Sequence, residues 1–122
     1  MMVAGLGFRS GATVASLRAA LNAAGGAVGV TALATSEAKA GAAVFLAFAA
    51  ELGLSIIGVS AADLARQHTI TESARVREKT GAGSLAEAAA LAAIGSDARL
   101  LAARAVSPDH MATAAIAKGF QP

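Results

Sequence analysis

The sequence predicts an α/β fold: a three-layer α/β/α arrangement around a mixed, mostly parallel sheet of about five strands. Two observations carry this expectation. From the N-terminus to Gly95, short apolar runs alternate with helix-period segments, the order that builds a parallel sheet covered on both faces. Near the C-terminus, Ser107-Pro108-Asp109-His110 separates two more apolar runs, which reads as a hairpin and makes one edge antiparallel.

The elements follow in order. Residues 2–8 are short and apolar, a buried strand. Residues 7–11 form a glycine turn, and 12–24 read as a helix with Val14, Leu17, Leu21 and Ala24 on one face. Gly25-Gly26 ends it. Residues 28–34 are the second strand. Thr35-Ser36 starts a helix over 37–52, with Phe45, Phe48, Ala49 and Leu52 as its core stripe and Gly53 as its stop. Residues 54–59 are a β-branched third strand. Ser60 and Asp63 have capping-box spacing ahead of a short helix. Residues 67–72 are loop-like, and 73–80 are a short helix. Gly81-Ala82-Gly83 is a second glycine turn; Ser84 and Glu87 form a capping box for a helix over 85–94. Residues 98–103 and 111–117 are the late strands.

Composition excludes several classes. The 122 residues suit one domain, 1–122, and 56% hydrophobic against 15% charged content excludes disorder. Absence of cysteine excludes disulfides and thiolate metal sites. His68 and His110 lack ligand spacing, so no metal and no cofactor is expected. The net charge is only +2. The densest basic cluster, Arg75, Arg77 and Lys79, is diluted by Glu72 and Glu78 and reads as a solvated helix face, with no aromatic stacking residues beside it. Nucleic acid is therefore not an expected partner. The longest apolar run, 40–50, is too short to span a bilayer, and no signal peptide is expected. No membrane association is expected, and the cytoplasm is the expected compartment.

Three motifs point to an anionic ligand. Gly5-x-Gly7-x-Arg9-x-Gly11 joins a strand to a helix, a place for a nest of backbone amides with Arg9 as a fixed cation. The same glycines also suit close strand–helix packing. The motif is not the dinucleotide fingerprint: the third glycine of that pattern falls on Ser10, and the second strand ends Leu33-Ala34-Thr35 without an acid for the ribose. Thr35-Ser36-x-x-Lys39 follows the second strand, where ligands of open α/β sheets bind. Gly83, Ser84 and Glu87 form the third motif, a helix cap with room for a ligand. The candidate binding set is Gly7, Arg9, Gly11, Thr35, Lys39, Gly83, Ser84 and Glu87. No Ser-His-acid order, cysteine nucleophile or carboxylate pair is evident.

The chain resembles the CobE/CbiG C-terminal family of cobalamin biosynthesis. The resemblance runs through Gly5-x-Gly7-x-Arg9-x-Gly11, Leu33-Ala34-Thr35 with Lys39, Leu46-Ala47, Leu52-Gly53-Leu54, then Ser73 and Val76. It continues with Gly81-x-Gly83-Ser84-Leu85-Ala86-Glu87-Ala88-Ala89-Ala90-Leu91, Leu100-Leu101 and Ala112-Thr113-Ala114-Ala115-Ile116-Ala117. It departs from the family's pattern at Arg104, where a lysine is common, and at 41–44, where no acid follows Lys39.

The resemblance implies a domain acting in corrin ring synthesis, in its stand-alone CobE-like form. The expected ligand is a precorrin or corrinoid polycarboxylate, and other cobalamin-pathway enzymes are possible partners. Two functions follow: an accessory protein or carrier for the intermediate, or a hydrolase of the cobalt-precorrin-5A type, opening the δ-lactone and releasing acetaldehyde. A small nucleotide-binding regulator is the outside reading. The lack of an acid–base pair favours the accessory role.

Overall fold

A computed structural model describes residues 1–74 and 83–119. The elements are β1 (Met2–Phe8), α1 (Val14–Ala23), β2 (Ala32–Ser36), α2 (Glu37–Ala40), α3 (Ala43–Leu52), β3 (Ser55–Val59), α4 (Ala61–Ala65), α5 (Leu85–Ile94), β4 (Ala98–Leu100), β5 (Ala105–Val106) and β6 (Ala112–Gly119). Beyond Ala74, the helix expected over 73–80 lies outside the described residues, as do Arg75, Arg77 and Lys79.

The sheet is mixed, as expected, with strand order β3-β2-β1-β6-β4 and β5 also paired to β6. β3, β2 and β1 are parallel; β6 runs antiparallel to β1 along its whole length, from Met2 opposite Lys118 to Phe8 opposite Ala112.

Strand side chains alternate between two cores, which makes three layers. Ala4, Leu6, Phe8 and Leu33 pack with Leu17 and Leu21 of α1 and Phe45 and Phe48 of α3. Val3, Ala32 and Ala34 pack on the opposite face with Leu64 of α4 and Leu85, Ala88 and Ala89 of α5. Gly5 faces this second layer. A Cβ there would lie 1.9 Å from the Ala86 carbonyl oxygen and 2.7 Å from the Ala90 nitrogen, so α5 packs its main chain directly on β1. Gly5 is thus a packing residue.

Local chemistry explains the helix ends. Thr13 and Ser16 form a reciprocal capping box on α1. Ser60 caps α4. Gly53, at φ 68°, closes α3 in the left-handed conformation. Ser84 accepts the Glu87 amide at the start of α5, but the Glu87 carboxylate bonds residues 70, 71 and 104 in place of the Ser84 amide, so only half of the expected capping box forms; α5 ends at Gly95 as the sequence predicts.

Three elements differ from the sequence reading. The second strand begins at Ala32 rather than at 28: Gly25, Gly26 and Gly29 take positive φ, and Val28 is 92% exposed on the resulting loop. The helix expected over 37–52 is two helices. Gly41 and Ala42 turn the chain so that α2 lies on Gly58 of β3 while α3 presents its stripe to the α1 layer. The late strand expected over 98–103 stops at Leu100. Residues 98–100 pair with β6 in one register and 105–106 in a register two residues out, so residues 101–104 carry a two-residue bulge.

Candidate functional site

The parallel strands β1, β2 and β3 all end on one side of the sheet, and antiparallel β6 begins there. A cleft of about 1150 Å³ opens at this point, slightly above the usual small-molecule range of about 300–1,000 Å³. Phe8, Val59, Leu64, Leu85, Val106, Met111 and Ala112 give it apolar walls. Arg9 comes from the end of β1, Lys39 from α2 and Arg104 from the bulge before β5; Glu37 is the one carboxylate among the described lining residues. The cleft is therefore amphiphilic, with a cationic balance.

Each cation is placed by its local backbone. The Arg9 amide donates to the Met111 carbonyl at 2.9 Å, which ties the turn after β1 to the start of β6 and leaves the Arg9 side chain at the exposed rim. Lys39 donates to the Phe8 carbonyl, and its ammonium lies 5.1 Å above the centre of the Phe8 ring. Phe8 in turn stacks on Phe45, with ring centres 5.9 Å apart.

Two of the chain's own carboxylates fasten the cleft's rim. Asp109, in the hairpin turn, accepts from the hydroxyls of Ser107 and Ser16 at 2.6 Å and from the Met111 amide at 3.0 Å. These donors hold its carboxyl down at about 2. Asp109 thus bonds the first turn of α1, where a helix favours an anion. Glu87 lies fully buried in the first turn of α5. Its Oε1 accepts the amides of Ile70 (2.6 Å) and Thr71 (2.9 Å); its Oε2 accepts the Thr71 hydroxyl (2.6 Å) and the Arg104 amide (2.8 Å). Burial alone would raise this carboxyl. The hydrogen bonds outweigh it, led by those from Thr71, and hold the group below its ordinary value.

The family model for the cobalamin synthesis G C-terminus matches residues 2–117. The chain belongs to that family. Two crystal structures resemble this chain over nearly their full extent. One is CobE, a protein from the cobalamin (vitamin B12) biosynthetic pathway: 28% identical, TM-score 0.83, with 100% of this chain and 92% of that chain covered. The other is the cobalamin biosynthesis protein chiG from Agrobacterium tumefaciens str. C58: 39% identical, TM-score 0.74, with 99% and 100% covered. None of the curated proteins is significantly similar. Among the described residues, no helix is long and apolar enough to cross a membrane.

The sequence-predicted residues of this family member fall in three places. Gly7, Arg9 and Lys39 line the cleft. Thr35 is fully buried at the end of β2 and donates to the Leu6 carbonyl at 2.8 Å, behind the lining. Gly11 sits against Met111, a lining residue. Gly83, Ser84 and Glu87 stand behind Leu85. A Cβ on Gly83 would fall 2.6 Å from the Thr71 carbonyl oxygen, so Gly83 is packed on the 69–73 loop. Sequence reasoning did not reach Glu37, Ser73, Arg104, His110 or Thr113 as lining residues. Arg104 carried a local signal, since it stands where the family often has lysine. His110 at φ 59° carried a backbone one, visible only in the fold.

Proposed function

We propose that this chain binds a precorrin or corrinoid polycarboxylate in the cleft at the ends of β1, β2 and β3, as an accessory or carrier protein of cobalamin biosynthesis in the cytoplasm. The observation that carries the reading is the pairing of apolar walls with Arg9, Lys39 and Arg104 in one large cleft. A tetrapyrrole-derived intermediate has an apolar ring face and a rim of acetates and propionates. The walls suit the first, and guanidinium and ammonium groups suit the second. Membership of the family and the likeness to CobE support the pathway.

The accessory role rests on the state of the carboxylates. Glu87 and Asp109 are saturated by hydrogen bonds that favour their ionised forms, which suits anchoring rather than proton transfer. Among the described residues that line the same cleft, Glu37 and His110 are the acid and base candidates for the hydrolase alternative. Titration of the purified chain with a series of precorrin intermediates, followed by visible spectra and product mass, tests the reading. Saturable spectral change without new product is expected. Stoichiometric release of acetaldehyde by the chain alone would replace the carrier reading with the hydrolase.

A further inference from the structure

Glu87 is an unusual residue for a core position. It is a carboxylate with no exposed surface, inside an alanine-rich helix, and no cationic side chain pairs with it among the described residues. Burying such a charge is costly unless it is fully hydrogen-bonded. All four donors to it come from two segments outside its helix: residues 70–71 and residue 104. Both segments lead to the cleft. Thr71 precedes Ser73, a lining residue whose amide donates to the Gly83 carbonyl at 2.8 Å. Arg104 lies in the bulge between β4 and β5. The Leu101 amide still bonds to Ile116 of β6, but Arg104 turns its amide away from the sheet to Glu87. That turn accompanies the two-residue register shift and places the Arg104 side chain at the cleft.

We propose that Glu87 is a positioning residue for ligand recognition: its buried carboxylate holds the 70–73 loop and the 101–104 bulge on α5, and so sets Arg104 against an anionic group of the ligand. The ligand part rests on the function proposed above; the positioning part does not.

Glu87→Gln separates the two segments. With the amide oxygen kept on Ile70 and Thr71, the amide nitrogen falls where Oε2 was. The Thr71 hydroxyl can turn to accept from it, but the Arg104 amide is a donor and cannot. The substitution therefore releases Arg104 selectively.

The experiment has two arms. Without ligand, amide hydrogen exchange is followed by NMR in the wild type and in Glu87→Gln. Exchange at Arg104 should rise about tenfold or more, the equivalent of one lost charge-assisted hydrogen bond. Ala88, Ala89 and Ala90 of α5 should change little. An unchanged Arg104 rate, or equal acceleration throughout the protein, overturns the positioning role. With ligand, uroporphyrin III, a tetrapyrrole bearing only acetates and propionates, is titrated into the wild type, Glu87→Gln, Arg104→Ala and the double variant. Each single variant should bind about tenfold more weakly, and the double variant no more than about twofold worse than either. Additive losses overturn the link from Glu87 to Arg104. If the wild type does not bind the probe while Arg104 exchange rises as expected, the ligand reading fails and the positioning reading stands. Should Glu87→Gln not fold, Glu87→Asp shortens the side chain by one methylene so that its carboxylate no longer reaches both segments; unchanged exchange at Arg104 in that variant overturns the proposal.

Discussion

Substituting Gly5 by alanine tests how the two layers meet. The new Cβ would lie 1.9 Å from the Ala86 carbonyl oxygen and 2.7 Å from the Ala90 nitrogen, both main-chain atoms that cannot rotate away. Ordinary contact requires α5 to retreat by about 1.5 Å. Leu85, Ala86, Ala88, Ala89 and Ala90 are all buried, so the retreat opens the face packed on β1. Overpacking of this kind costs about 1–3 kcal/mol and sometimes more. The retreat also strains the Glu87 bonds, 2.6–2.9 Å long, to loops on either side of the helix. Loss of one such charged bond adds about 1.5–3 kcal/mol. The expected total is about 4 kcal/mol, a large part of the roughly 5–15 kcal/mol that holds a domain of this size together. Thermal unfolding followed by circular dichroism should show Tm lower by about 10–20 °C. Gly41→Ala is the control: it has φ −91°, nothing lies within 4 Å of the added carbon, and a gain of about 0.4–1 kcal/mol is expected. A Gly5→Ala protein within about 1 kcal/mol of the wild type would refute the claim that main-chain contact sets the β1–α5 spacing.

Three further outcomes are expected. Asp109 has an ordinary value of 3.8 and is held at about 2 in the folded chain. Its contribution is therefore complete above the ordinary value and is lost as pH falls from about 4 towards 2. In Tm measured against pH, Asp109→Asn should flatten that part of the curve, and parallel curves would count against the anchor. Glu87, shifted in the same direction, should leave some acid sensitivity in the variant. Ser84→Ala should cost about 1 kcal/mol in denaturant unfolding through loss of the α5 cap; full stability with lost ligand binding would move Ser84 from scaffold to site. Arg9→Ala should weaken corrinoid binding by about 1.5–3 kcal/mol with little change in Tm, because its side chain is exposed and its backbone bond to Met111 survives. Unaltered affinity in a titration would remove Arg9 from the site.

Much of the frame was legible because its causes are local. β1 matches the apolar run 2–8, and α5 has both predicted ends because Ser84 and Gly95 are adjacent signals. The errors lie where a distant partner decides. An apolar run at 28–30 reads as strand, but three glycines bend it outwards and pairing with β1 starts only at Ala32. Residues 37–52 read as one helix, yet α2 and α3 answer to different neighbours, Gly58 of β3 and the core shared with α1. The bulge at 101–104 has no local signature. Within it the Arg104 amide donates to the carboxylate of Glu87, 17 residues earlier.

The candidate site divides in the same way. Arg9 and Lys39 could be found because each follows a parallel strand, and strand ends are where open sheets bind ligands. Arg104 and His110 reach the cleft from the antiparallel hairpin, which enters the sheet at that same end only because β6 pairs with β1 from Ala112 onwards. Glycine and glutamate expose the limit most clearly. Gly5 and Glu87 both stand out in the sequence as features suited to a ligand: space beside a turn, and a charge in a helix's first turn. In the fold, the space at Gly5 is filled by α5, and the charge at Glu87 is met by the amides of residues 70, 71 and 104. Local reasoning identified the unusual residues, but whether they serve a ligand or the chain itself depends on contacts between segments well separated along the chain. Under the positioning role proposed for Glu87 the two converge, since the segments it bonds are those that carry Ser73 and Arg104 to the cleft.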